Sequence, residues 1–265
     1  MRNPIFVFLL VLCATGLSSC RGGRSQNDVI VAGSTSIQPF ADKWAEVFME
    51  GRPAIGINVQ GGGSSAGIQA CKAGACQIGM SSRELKADEK DLHEIVIARD
   101  GLAIIVHPSN PVRGATLSQV KQIFSGDLTN WKFLGGPDKE ITVVTREEGS
   151  GTRGAFQELV MGKTRIFRDA ITEDSNGTVR EIVAHDPNSV GFISLGLVNE
   201  QVRALVLDGA AGNEANIRNG SYKLVRPFLF LTRGEPTAAV KAFIEFVLSD
   251  EGQALVKKEG LIPVK

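Results

Sequence analysis

The 265-residue chain is short of the side chains on which most catalysis and metal binding rest. It has three histidines, His93, His107 and His185, and four cysteines, Cys13, Cys20, Cys71 and Cys76. Cys71 and Cys76 have no histidine nearby, so they make a poor metal ligand set, and no metal site is expected. A Walker loop, G-x-x-x-x-G-K-S/T, is absent. Net charge is absent too: 29 basic residues face 29 acidic ones, a balance that gives no sign of nucleic acid or of an electrostatically bound membrane surface. Apart from Ile5 to Leu12 no long apolar run occurs, and that run is well short of the roughly 20 residues that a bilayer crossing needs.

That single run has a use. Arg2 precedes it, and Leu17-Ser18-Ser19-Cys20 follows in the form of a bacterial lipoprotein cleavage box. Residues 1–19 are therefore expected to be a signal peptide, Cys20 a lipidated N-terminus and residues 20–27 a polar linker. Removing 19 residues, Arg2 among them, leaves 246 with 28 basic and 29 acidic side chains, a net charge of −1. Cys71 and Cys76 are then the remaining thiols. Export permits a disulfide between them, and a bridge is the expectation. The alternatives are a metal site and a redox pair, although a thioredoxin-like dithiol has two intervening residues rather than four.

The rest of the chain is organised around Thr145-Arg146-Glu147-Glu148-Gly149-Ser150-Gly151-Thr152. It follows the buried-strand pattern Ile141 to Val144 and leads into a helical pattern from Ala155 to Val160. A helix start offers unpaired N–H groups and partial positive charge, and glycines at 149 and 151 allow the backbone close to a small anion. Ser150 and Thr152 add hydroxyls, and Arg146 adds a permanently charged fork suited to two oxygens of phosphate or carboxylate. The plainer reading is a turn with an N-cap and a surface ion pair between Arg146 and Glu148.

The same strand, small-residue turn and helix recur upstream. Val29 to Ala32 leads into Gly33-Ser34-Thr35-Ser36-Ile37-Gln38-Pro39 and a helical pattern through Phe40, Trp44, Val47 and Phe48. Ile57 to Gln60 leads into Gly61-Gly62-Gly63-Ser64-Ser65-Ala66-Gly67. Ile78-Gly79-Met80 leads into Ser81-Ser82-Arg83. Alternating strands and helices predict α/β sheets whose ligands sit beyond the carboxyl ends of the strands, where four hydroxyl-rich turns can converge.

Two of these turns also fit enzyme patterns. Gly63-Ser64-Ser65-Ala66-Gly67 has the nucleophile-elbow form G-x-S-x-G, with Ser65 as nucleophile of a serine hydrolase, the alternative function. No histidine lies in a catalytic context: His107 precedes Pro108, and His185 precedes Asp186-Pro187. Gly61 to Ala66 fits the dinucleotide fingerprint, but Ser81-Ser82 stand where its acid is wanted.

Further on, Leu102 to His107 reads as a strand leaving the first lobe. Leu117 to Phe124 reads as a helix, and Asp174-Ser175-Asn176-Gly177-Thr178 as a helix cap, with ligand contact as its other reading. Val190 to Ser194 and Leu224 to Leu231 read as strands, and Val240 to Leu248 and Ala254 to Lys258 as closing helices. The expected architecture has two α/β lobes, residues 28–107 with 222–265 and residues 108–221, joined by two crossing strands.

Taken together, the sequence resembles the phosphate-binding lipoprotein of the bacterial high-affinity phosphate ABC transporter, in the short form of that family. The resemblance rests on Gly33 to Ser36 with Pro39, Gly61 to Ser65, Ile78 to Arg83, Ile123 to Gly126 with Asn130-Trp131, Arg146 to Thr152, and Val190 to Phe192. It implies a two-lobed periplasmic-binding-protein fold of type II, each lobe a mixed sheet flanked by helices, with the ligand cleft between them. It also implies a monomeric, non-enzymatic protein without cofactor that passes inorganic phosphate to a membrane permease and its ATPase, held outside the cytoplasm by a lipid.

By the same resemblance the phosphate ligands are Thr35, Ser36 (chiefly through its backbone N–H), Ser64, Ser82, Arg146, Ser150, Gly151 and Thr152; beside it, Glu148 is expected to orient Arg146. Ser82 is a departure, because longer members carry an aspartate there that accepts the proton of hydrogen phosphate. Sulfate or another oxyanion on the same fold is thereby left open.

Overall fold

The computed structural model describes residues 28–264. The expected signal peptide, Cys20 and the linker lie outside these residues. In the first part of the chain β1 (Val29–Gly33) leads to α1 (Gln38–Glu50), β2 (Ile57–Gln60) to α2 (Ser64–Ala73), and β3 (Ile78–Ser81) to the long β4 (His93–Val106). Next come β5 (Gly114–Ala115), α3 (Leu117–Ser125), β6 (Thr142–Arg146), α4 (Gly151–Phe156), β7 (Ile171–Glu173), α5 (Asn176–His185) and β8 (Ser189–Ser194). Short β9 (Arg203–Ala204) and β10 (Val206–Leu207) precede α6 (Glu214–Arg218), β11 (Val225–Thr232), α7 (Ala238–Val247) and α8 (Asp250–Lys258).

Two mixed sheets share one strand. The first runs β2-β1-β3-β11-β4, with β2, β1 and β3 parallel and β11 antiparallel to both neighbours. The second runs β4-β8-β6-β7, with β4 and β8 antiparallel and β8, β6 and β7 parallel; β9 also pairs with β4. Residues His93 to Gly101 of β4 pair with β11, and Leu102 to Val106 pair with β8. The partner of β4 therefore changes at Gly101, and β11 begins its pairing at Val225, opposite Gly101. Leu102, Ile104, Val106, Tyr222 and Leu224 all lie in the second lobe's core, so burial rather than strand length decides the boundary.

Apolar spacing explains the helices that hold the sheets. On α1 the buried positions are Phe40, Ala41, Trp44, Ala45 and Phe48, one stripe of a 3.6-residue period, and Pro39 fits at the first turn where its missing N–H costs nothing. That stripe meets Phe228, Phe230, Phe243 and Phe246 in the first lobe's core. The Trp44 indole N–H donates to Gly252 O at 3.0 Å, which satisfies a buried donor and ties α1 to α8. In the second lobe Phe156 stacks on Phe192 with ring centres 4.2 Å apart, and Phe124 meets Phe156 edge-on at 4.6 Å. Each such buried side chain contributes about 1.5–3 kcal/mol.

Cys71 and Cys76 are free, buried thiols, so the expected bridge is not present. Gly74, left-handed at φ 72°, ends α2, and the N–H groups of Ala75 and Cys76 fold back onto Ala70 O. That return brings the thiols into hydrogen-bond contact, while the Cys71 thiol donates to Leu231 O at 3.3 Å. Contact with Cys71 together with burial holds Cys76 well above the usual thiol range.

One buried ion pair braces the first lobe. Arg83 grips Glu89 with two hydrogen bonds, 2.7 and 2.9 Å, and this grip lowers the Glu89 carboxyl from 4.5 to about 2 against the opposing effect of burial. A depressed carboxylate stabilises the fold above its ordinary pKa and loses that contribution as pH falls through the folded value. Denaturant midpoints measured from pH 6 down to pH 2 should therefore drop more steeply in the wild type than in Glu89→Gln, with the difference developing between 4.5 and about 2.

Candidate functional site

Four turns, each at the carboxyl end of a strand, meet at one point between the lobes. Ser34 follows β1. Its Oγ accepts the N–H groups of Ser36 (3.2 Å) and Ile37 (3.4 Å), which fills both lone pairs, so its own proton goes to Ser82 Oγ at 2.9 Å. Ser82, after β3, donates its N–H to Ser64 Oγ at 3.1 Å, at the start of α2. The fourth turn reaches across from the second lobe: Thr152 Oγ1 lies 2.6 Å from Ser36 Oγ, and Gly149 O accepts the Ser65 N–H at 3.1 Å. Ser34, Ser36, Ser64, Ser82, Ser150 and Thr152 are all buried.

Glycine is required where the lobes touch. A methyl group on Gly151 would run into Ser64 Oγ and stand 2.6 Å from Ser82 Oγ. The N-terminus of α2 has no side-chain cap, since Gly63 precedes it, and Ser150 Oγ accepts the Arg153 N–H at 3.2 Å while keeping its own proton. Helix starts and hydroxyl protons thus gather around one small volume, an arrangement suited to an oxyanion.

Arg146 ends β6 and is 1% exposed. Its Nε bonds Glu147 Oε2 (3.0 Å) and Glu173 O (3.1 Å); Nη2 bonds Thr35 Oγ1 (3.1 Å), Glu147 Oε1 (3.1 Å) and Asp174 O (2.7 Å). Nη1 is buried without a partner. Burial pulls its pKa down and Glu147 opposes that, but a guanidinium stays protonated, so the free nitrogen is a charged donor awaiting an acceptor. The acid that orients Arg146 is Glu147, not Glu148. The Glu147 N–H continues the pairing with Glu173 O, which turns its carboxylate to the guanidinium, whereas Glu148 stands exposed in the turn.

Ser36 also differs from expectation. Its N–H is spent on Ser34, and it is the hydroxyl that reaches the shared centre.

Three further residues join the site. Asn176, first residue of α5 after the Ser175 cap, donates Nδ2 to Ser36 Oγ at 2.8 Å; its stretch had a cap and a ligand contact as its two readings, and the structure shows the cap at Ser175 together with this contact. Arg226 on β11 donates Nη1 to Thr152 Oγ1 (2.9 Å) and Ser82 O (3.2 Å), and Nε to Asp100 Oδ2 (2.9 Å). An arginine inside the apolar run Leu224 to Leu231 was the available signal. Asp100 is its directly opposed partner on β4.

The nucleophile-elbow reading finds no base. Ser65 Oγ accepts from Arg83 Nη2 at 3.4 Å, and arginine does not take up a proton. The His107 ring bonds Ser109, and the His185 ring bonds Glu181 O. Among the described residues no cluster of three or more His, Cys, Asp or Glu side chains could hold a metal ion.

The sequence profile of the PBP superfamily domain matches residues 21–251. The chain belongs to this superfamily. Among its relatives, the phosphate-binding protein PstS of Bacillus subtilis (strain 168) is 34% identical over 249 residues, covering 91% of this chain and 82% of the relative. A Clostridium perfringens chain, described as a phosphate ABC transporter substrate-binding protein and crystallised with bound phosphate, is 44% identical with a TM-score of 0.88, over 90% of this chain and all of that one. An ABC-type phosphate transport receptor from Vibrio cholerae is 38% identical with a TM-score of 0.75, over 88% and 99%. The PBP fold is the two-lobed type II arrangement expected above.

Two variants test this geometry. Gly151→Ala should weaken anion binding about 5- to 150-fold by calorimetry, from an overpacking cost of ~1–3 kcal/mol, while unfolding stability changes little because the clash exists only with the lobes together. Glu147→Gln should weaken the same binding by loosening Arg146, and Glu148→Gln should leave it unchanged.

Proposed function

We propose that this chain captures inorganic phosphate between its two lobes, outside the cytoplasm, and delivers it to an ABC permease driven by an ATPase. The observation that carries this reading is the buried, unpartnered Nη1 of Arg146, whose Nη2 bonds Thr35 Oγ1 in the first of the four converging turns. An isolated buried ion costs many kcal/mol, whereas each hydrogen bond to a charged group contributes about 1.5–3 kcal/mol net. A donor array of this kind is suited to a small, multiply charged oxyanion, and no bond in it needs to be made or broken: the protein is a receptor rather than an enzyme. The relatives described as binding or transporting phosphate give the same ligand.

In this reading Thr35, Ser36, Ser64, Ser82, Arg146, Ser150, Gly151 and Thr152 surround the phosphate. Ser82 Oγ holds the Ser34 proton on one lone pair and, when it gives its own proton to Ser64 Oγ 3.4 Å away, keeps the other. The P–O–H of hydrogen phosphate can fill that lone pair; sulfate, with no proton at neutral pH, cannot. Ser82 therefore supplies, more weakly, the discrimination that an aspartate would. No helix of the described residues is long and apolar enough to cross a membrane; attachment is through lipid on Cys20, and the protein works as a monomer.

Calorimetric titration of ligand-stripped protein, first with phosphate and then with sulfate at one pH and ionic strength, tests the reading. Phosphate is expected to bind with micromolar or tighter affinity, about −8 kcal/mol, and sulfate much more weakly. Arg146→Ala should cost at least about 100-fold, in the range of a lost charged pair. Equal sulfate binding would reassign the ligand, and no heat with either anion would overturn the reading.

A further inference from the structure

The most heavily buried ion pair beside the cradle is Arg226–Asp100. These two residues face each other across β11 and β4 at the point where both strands pass between the lobes. Arg226 Nε donates to Asp100 Oδ2 at 2.9 Å, with Nη2 2.8 Å from the same oxygen. From this pair a closed ring of hydrogen bonds runs through both lobes. Arg226 Nη1 donates to Thr152 Oγ1 (2.9 Å), which meets Ser36 Oγ (2.6 Å); Ser36 Oγ accepts from Asn176 Nδ2 (2.8 Å). Asn176 Oδ1 accepts the Ser194 N–H (3.2 Å), and Ser194 Oγ donates to Asp100 Oδ1 (2.8 Å). Each of the six members is at most 2% exposed.

Counting protons around the ring shows what it does. Arginine and the amide NH2 group only donate, so Thr152 Oγ1 takes one hydrogen from Arg226 and Ser36 Oγ one from Asn176. The Asn176 amide is fixed in this sense because its oxygen faces the Ser194 N–H. The two hydroxyls share one of their protons between them across 2.6 Å. Their second proton has no acceptor in the ring and is left for the ligand. Arg226 thus occupies the acceptor side of Thr152 Oγ1, which leaves one proton of the Thr152–Ser36 pair for the ligand, and it does so from the strands that cross between the lobes.

We propose that Arg226, held by Asp100, is a positioning residue for the bound oxyanion: it fixes the Thr152 hydroxyl as a donor and joins the crossing strands to the second lobe when the cleft is shut. The proposal rests on the phosphate reading above, and the experiment separates the two.

The test uses the mature chain, inorganic phosphate and calorimetry, with thermal melting of the ligand-free protein as the check on folding. Arg226→Met alone would strand the Asp100 charge, so it is combined with Asp100→Asn, which removes both charges together. This double variant should melt close to the wild type yet bind phosphate about 10- to 100-fold more weakly, the loss expected when a charged donor ceases to orient a buried hydroxyl.

Thr152→Val provides the readout that a merely structural pair would not move. It should cost about tenfold or more in the wild type and less than about twofold on the double-variant background, because the hydroxyl is no longer aimed. If the double variant does not fold, Arg226→Lys decides, since lysine keeps the cation but cannot hold Asp100 and Thr152 in a fixed fork. Affinity within about twofold of the wild type in a folded variant, or a Thr152→Val loss of the same size on both backgrounds, overturns the proposal. Failure of the wild type itself to bind phosphate overturns the functional reading instead.

Discussion

Two guanidinium groups buried within one site, Arg146 and Arg226, set the terms for what surrounds them. A charge removed from water is tolerated only if its donors are met by acceptors. Arg146 is met by Glu147, two backbone carbonyls and Thr35; Arg226 by Asp100, Ser82 O and Thr152. Burial pulls both guanidinium pKa values down, each opposed by its own carboxylate, and the two arginines repel one another. An anion between the lobes relieves that repulsion, and Arg146 Nη1 is a buried donor left without a hydrogen-bond partner, as is Arg226 Nη2.

The fold puts the charges there economically. Parallel strands direct their carboxyl ends to one edge, so the turns after β1 and β3 in the first lobe and after β6 in the second face each other across the crossing strands. Short hydroxyl side chains and glycines fill the gap because larger residues would hold the lobes apart; Gly151 against Ser64 and Gly154 against Arg83 are the tightest such contacts of α4. The same β4 that carries Asp100 changes partner at Gly101, so the strand crossing and the site are built from neighbouring residues rather than joined by a long route through the core.

Much of this was legible before any coordinates. The strands after residues 29, 57, 78 and 141, the turn after each, and Arg146 with Ser150 and Thr152 follow from short-range rules: alternation of apolar residues, hydroxyl caps and glycine at turns. What failed did so for identifiable reasons. Glu147 and Glu148 are adjacent acids, and only the pairing of the Glu147 backbone with Glu173 O decides which carboxylate faces Arg146. The Ser36 N–H was diverted to Ser34 by a turn two residues long. The change of partner within β4 was not legible because an unbroken apolar strand gives no mark where its neighbours change.

The sequence by itself determined the local units, their order and the chemistry of the cradle, because helix, turn and strand signals act over a few residues and a Gly-Ser-Thr turn can be recognised alone. Tertiary structure alone decided which distant groups share a proton. Asp100 and Arg226 are 126 residues apart in the chain, and Ser36 and Asn176 are 140 apart. Their meeting depends on strand register and on the lobes coming together, and a hydrogen bond that varies over tenths of an ångström is set by that packing rather than by any local pattern.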